Sequence, residues 1–130
     1  MKYFLDTNIC IFFLNKKFLS IYEKMVTIPQ SNLKIPSVVL AELCYGAEKS
    51  ERREQNLKNV IQFASLYEII MFDDNAAQAY GNIRATLEAK GQVIGGNDMM
   101  IAAMAFAYDA VFVTNNTREF SRVDGIVIED

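Results

Sequence analysis

Three acidic side chains sit where a small folded chain has little packing reason to put them. Asp6 ends the apolar run Tyr3-Phe4-Leu5, Glu42 interrupts an apolar stretch that holds Val38, Val39, Leu40 and Leu43, and Asp98 opens Met99-Met100-Ile101-Ala102-Ala103. If these acids converge, each pair of carboxylates about 4 Å apart repels by ~4 kcal/mol at an effective dielectric near 20. Three such groups cannot all stay ionised unaided. They either take up protons or hold a hard divalent cation such as Mg²⁺ or Mn²⁺, which prefers carboxylate and water oxygens. The sequence contains no histidine, so a Ser-His-Asp triad, a His-paired cysteine nucleophile and a His-ligated zinc site are all impossible. Hydrolysis would have to run on carboxylates, with the metal as the simpler route. Each acid also has a purely structural reading. Asp6 would cap the following helix, Asp98 would be a first-turn acid favoured by the helix dipole, and Glu42 would lie on the wet side of an amphipathic helix.

The elements that must position these acids alternate. Residues 3–5 read as a buried strand, 8–14 as a helix, and 18–25 as a further helical segment after Lys16-Lys17. A second strand over 33–35 stops at Pro36, and Ser37 is a good N-cap for a helix over 38–47. The mixed charges of 48–58 read as the solvated face of a helix that 60–66 finishes. A third strand over 67–72 leads to Asp73-Asp74 at a helix start, Ala76, Tyr80, Ile83 and Leu87 mark one face of that helix, and Gly91 closes it. The turn 94–98 opens a buried helix over 99–108. A fourth strand over 111–113 ends at Thr114, a helical turn covers 117–120, and a fifth strand covers 126–128. This alternation predicts an α/β fold, a three-layer α/β/α sandwich around a mainly parallel sheet. In such sheets ligands bind outside the carboxyl ends of the strands, where Asp6 stands.

With 130 residues, 52% of them hydrophobic, the chain can build one domain over 1–130 with a real core. No stretch is long and apolar enough to span a membrane, and the N-terminus lacks the blocks of a signal peptide. Cys10 and Cys44 lie in apolar surroundings, which suits buried thiols in a reducing compartment and predicts a cytoplasmic protein. The net charge of −3 argues against broad electrostatic binding of nucleic acid. Grip on a polyanion would come from local cations, and Arg84, Lys90, Arg118 and Arg122 flank the acidic segments in sequence; ordinary surface cations are the alternative for each. Segments 9–14 and 18–25 carry more Phe, Ile and Leu than a small surface needs, which suits either core packing or a partner groove.

Leu5-Asp6-Thr7-Asn8, Ala41-Glu42-Leu43, Ile94-Gly95-Gly96-Asn97-Asp98 with Ile101-Ala102-Ala103, and Val113-Thr114-Asn115-Asn116 with Glu119-Phe120 together resemble a PIN domain. The pattern is similar to the VapC ribonuclease toxins of bacterial VapBC toxin–antitoxin pairs and runs essentially end to end. The resemblance implies a PIN-like fold and a Mg²⁺- or Mn²⁺-dependent endoribonuclease that hydrolyses RNA phosphodiester bonds, with initiator tRNA as a first guess. It places Asp6, Glu42 and Asp98 at the metal site and Thr7 and Thr114 beside it, orienting carboxylates or water. It also implies a homodimer and a VapB-type antitoxin covering the groove and active site. The departure is Asn116, which stands where many PIN domains carry a fourth acid of the catalytic set. An amide adds no negative charge, which argues against a second metal without substrate, and Glu119, one helical turn on, could face the same cavity.

Two other classes compete. A phosphoacceptor receiver domain has similar size and alternation, and Thr114 after a strand suits it. It needs an aspartate ending the third strand, which Asp73 or Asp74 could mimic, and a lysine after the fifth, which Ile128-Glu129-Asp130 does not offer. A non-catalytic binding module would have acids that are all caps.

Overall fold

The computed structural model describes residues 1–15, 23 and 25–130. Its elements are β1 (Tyr3–Leu5), α1 (Thr7–Asn15), a 3-10 turn (Gln30–Asn32), β2 (Leu33–Pro36), α2 (Ser37–Glu48), α3 (Arg53–Ala64), β3 (Glu68–Ile70), α4 (Asp74–Ala89), α5 (Gly96–Ala107), β4 (Val111–Val113), α6 (Thr117–Phe120) and β5 (Val127–Glu129). The strands form one sheet in the order β3-β2-β1-β4-β5, and every neighbouring pair is parallel. The expected mainly parallel sheet is therefore parallel throughout.

Strand order steps outward from β1 to β3, then returns past β1 to β4 and β5. Right-handed crossovers put the helices of those two excursions on opposite faces, which makes the sandwich. Strands buried on both faces must be apolar on both sides, and Phe4, Leu5, Ile35 and Phe112 are fully buried. On α5, Met99 and Ile101 to Ala105 are all buried, so this helix is apolar nearly all round, as its sequence predicts. The Phe112 and Phe120 rings meet edge to face with centroids 4.6 Å apart and tie α6 to the sheet.

Several local expectations change. Ser37 is the first residue of α2 rather than its cap; its hydroxyl accepts the Phe72 amide at 3.1 Å and anchors the chain leaving β3. The charged stretch does not join one helix. The Ser50 hydroxyl donates to the Ala47 carbonyl at 2.6 Å and accepts from Asn56 at 2.8 Å, so side-chain bonds replace helical ones and the chain breaks between α2 and α3. The third strand is shorter than 67–72 because it lies at the sheet edge with one neighbour. Asp73 is an N-cap, as expected, accepting the Ala76 amide at 2.9 Å. Gly91 follows the end of α4 with φ +66°. The helical segment expected over 18–25 falls mostly outside the described residues.

Candidate active site

Asp6 lies at the carboxyl end of the central strand, and its N–H donates to the Val113 carbonyl at 3.0 Å. Leu5 pairs with Val113, so Asp6 and Thr114 are the next residues of two adjacent strands. Here the chain order reverses, and the crevice between β1 and β4 is the topological switch point of the sheet. Asp6 and Thr114 are the two buried polar residues beneath it. The Thr114 hydroxyl donates to Asp6 Oδ2 at 2.6 Å and accepts the Asn116 N–H at 3.0 Å. The Thr7 N–H donates to Asp6 Oδ1 at 2.8 Å. Both Asp6 oxygens are thus held by groups on different elements, and the helix-start reading of Asp6 is also partly true.

Glu42 arrives from the middle of α2. Its Oε1 accepts the Thr7 hydroxyl at 2.5 Å and its Oε2 accepts the Asn97 amide at 3.4 Å. Thr7 therefore clamps two carboxylates, one with its N–H and one with its hydroxyl. Asp98 comes from the first turn of α5. Burial, and after it the charges of Asp6, Glu42 and Glu119 in that order, together lift its pKa to about 6. Burial also raises Asp6; its hydrogen bonds to Thr114 and Thr7 oppose that rise, and the Glu42 charge adds to it. Glu119, on α6, accepts the Asn116 side-chain amide at 3.4 Å. Four carboxylates from four segments thus share one electrostatic environment.

Among the described residues, no cation figures in the groups that shift Asp6 or Asp98. Among the described residues no three acids close into a ready-made metal cage. What stands there is an open, oxygen-only, negatively charged set. Its donor chemistry fits a hard divalent cation and suits neither zinc nor copper. Cys10 is close enough for the Asp6 charge to act on it, but it is buried and its thiol is pushed far up, chiefly by burial, so it is inert.

The basic residues are placed differently. Arg84 donates to the Tyr80 hydroxyl at 2.9 Å and reaches Glu88 at 3.5 Å along the exposed face of α4. Lys90 pairs with Asp124 at 3.1 Å, and Arg122 donates to the Val93 carbonyl at 3.3 Å. Arg118 is exposed, next to Glu119, and its guanidinium has no partner among the described residues. Asn97 is the site residue to which the sequence pattern attached no role. Its only signal is its place beside Asp98 in a helix first turn.

A family model for the PIN domain matches residues 3–126. The chain is 44% identical to ribonuclease VapC2 of Rickettsia felis over 131 residues, covering 100% of this chain and 98% of that one. The chain belongs to the PIN-domain family of VapC ribonucleases. A second relative, the tRNA(fMet)-specific endonuclease VapC of Salmonella typhimurium, is 46% identical over 130 residues, with coverage of 100% and 98%. Among solved structures, DNA-bound VapBC from Salmonella typhimurium superposes with a TM-score of 0.94 at 46% identity, covering 100% of this chain and 98% of that one. VapBC2 from Rickettsia felis, bound to a promoter DNA fragment, superposes at 0.92 with 43% identity, covering 99% and 98%. VapC membership removes the receiver-domain reading, and the fold agrees. Flavodoxin-like receivers have strand order 2-1-3-4-5, not the order seen here. Asp73 caps α4 and takes the Tyr108 hydroxyl instead of joining the site.

Proposed function

We propose that this VapC-family ribonuclease is a Mg²⁺- or Mn²⁺-dependent endoribonuclease and the toxin of a toxin–antitoxin pair, with tRNA(fMet) as its substrate. The observation that carries the metal dependence is the gathering of Asp6, Glu42, Asp98 and Glu119 into one field, with no cation of the described residues among the groups that shift Asp6 or Asp98. Asp6, Glu42 and Asp98 would hold the ion. Bound there, it would supply a Lewis acid for the phosphodiester and a lower pKa for water. Thr7 and Thr114 keep the carboxylate oxygens of Asp6 and Glu42 aimed, which limits the reorganisation needed on binding. Without a cation, Asp98 can hold a proton near pH 6 and so relieve the repulsion. Asn116, held by Glu119, offers a neutral amide where a fourth acid would add charge. Arg118 is the best placed of the four basic candidates to meet a phosphate; Arg84, Lys90 and Arg122 would have to exchange their present partners first.

The tRNA(fMet) assignment rests on the relatives of Shigella flexneri and Salmonella typhimurium that carry that name, at 45% and 46% identity. The antitoxin assignment rests on the VapBC complexes that share this fold. A cleft of about 710 Å³ between α1, α2 and α3, lined by Val60, Phe63 and Leu66 alongside Asn56, Asn59 and Gln62, reaches Glu42 and suits an amphipathic antitoxin segment. A cytoplasmic homodimer completes the reading; no helix among the described residues is long and apolar enough to cross a membrane.

The deciding experiment is RNA cleavage by the wild type with Mg²⁺, Mn²⁺ or excess chelator, beside Asp6→Asn and Asp98→Asn. Cleavage is expected with either metal and is lost with chelator and in both variants, whose circular dichroism stays native. Full activity of either variant, or of the wild type in chelator, would overturn the metal mechanism.

A further inference from the structure

The α6 helix has four residues, too few to hold a helix unaided, so tertiary contacts must fix where it presents Asn116 and Glu119. One such contact is the buried Phe120 ring against Phe112. Another lies just past the helix. The Arg122 N–H donates to the Glu119 carbonyl at 3.1 Å, which joins Arg122 to α6 as one unit. From there the Arg122 guanidinium donates to the Val93 carbonyl at 3.3 Å. Val93 belongs to the loop that leaves α4 and leads into α5 and Asp98. Asp124 meets Lys90, at the start of the same loop, at 3.1 Å. Gly125 lies so close to Phe106 of α5 that a Cβ on it would be 2.8 Å from the ring. Segment 122–125 is therefore fastened both to α5 and to the loop that precedes it.

We infer that Arg122 is a positioning residue: its bond to the Val93 carbonyl locks α6, with Asn116 and Glu119, against the loop that delivers Asp98. The inference rests on the metal-dependent endoribonuclease reading and deepens it by naming what sets the spacing of two walls of the site. Of the two polar ties, Arg122 carries more. The Lys90 and Asp124 side chains are 45% and 84% exposed, and a surface pair of that kind contributes little and fades with salt. Arg122 is half-buried, and its charge-assisted bond goes to a neutral carbonyl, which salt weakens less. The Glu119 charge reaches Asp98, so moving α6 relative to α5 changes the field that a cation at Asp98 would feel. An arginine beside a nuclease site would ordinarily be read as a phosphate contact. The two roles differ in what they control: a phosphate contact governs RNA affinity, whereas a brace governs metal binding and turnover.

The test compares full-length wild type with Arg122→Met, which keeps an apolar stem but removes the donors, and Arg122→Lys, which returns one. Three readouts are taken: Mn²⁺ binding by calorimetry without RNA, cleavage of tRNA(fMet) at saturating Mn²⁺, and the salt dependence of tRNA binding in chelator. Arg122→Met is expected to bind Mn²⁺ about tenfold more weakly, the low end for losing a group that orients metal ligands. Its kcat should fall about tenfold while KM stays within about twofold, and its salt slope should match that of the wild type. Arg122→Lys should return Mn²⁺ affinity and kcat to within about threefold of the wild type. Unchanged Mn²⁺ affinity and kcat in Arg122→Met would overturn the inference. So would a raised KM with a salt slope lower by about 0.7, the mark of a phosphate contact. An Arg122→Met protein that melts below the assay temperature would show a purely structural bond and have the same consequence. A wild type that neither binds Mn²⁺ nor cleaves RNA would instead overturn the endoribonuclease reading, so the two failures are distinguishable.

Discussion

Asp98 carries the cost of the site most visibly. Its carboxyl group titrates at about 6 against an ordinary 3.8, so the folded chain holds that proton more tightly than the unfolded chain does. Stability is therefore undiminished below about pH 4, falls as pH rises from there to about 6, and carries the whole penalty above. Asp98→Asn removes the charge and keeps the shape. In metal-free protein it is expected to raise the melting temperature at pH 7, with the gain shrinking to nothing by pH 4, as thermal melts in chelator would register. A gain that did not change with pH would mean that charge repulsion is not its cause. The same variant is expected to be inactive, so this is a position where function opposes stability. All three acids were visible in the sequence, because a carboxylate at the end or in the middle of an apolar run is rare. Asn97 was not, since an amide in a polar first turn looks like any other.

At the level of elements, two turns carry backbone that only glycine adopts without strain. Gly91 closes α4 at φ +66° with open space where a side chain would point, whereas Gly125 has φ +87° and a Cβ there would lie 2.8 Å from the Phe106 ring. Gly91→Ala is expected to cost about 1 kcal/mol from the left-handed backbone alone. Gly125→Ala should cost more, about 2 kcal/mol, and urea titrations of both variants measure the difference. Phe106→Ala should recover the excess in the Gly125→Ala background and do nothing for Gly91→Ala. Gly91 was legible because it follows a long helical repeat. The break between α2 and α3 was not, because it depends on Ser50 turning its hydroxyl back to the Ala47 carbonyl, a choice that no periodicity records.

For the whole molecule, a net charge of −3 means that RNA must be held by a few local cations against an unfavourable total. Arg118, exposed beside Glu119 and without a partner among the described residues, is expected to be one of them. Arg118→Ala should lower the slope of log K against log salt for single-stranded RNA by about 0.7. Arg84→Ala should change it less, because Arg84 is already engaged by Glu88 and Tyr80. Filter binding across a salt series separates the two; equal slopes for Arg118→Ala and wild type would remove Arg118 from the interface.

The alternation of strands and helices, the buried α5 and the three acids were all written in local pattern. Burial imposes a period of two or of 3.6 on apolar residues, and an acid that breaks the pattern shows at once. Strand order, the crevice between β1 and β4, and the threonine clamps joining Asp6 to Glu42 and Thr114 were not. They join residues 35 and 108 positions apart, and contacts at that separation are chosen by how the whole sheet packs, which no local pattern encodes.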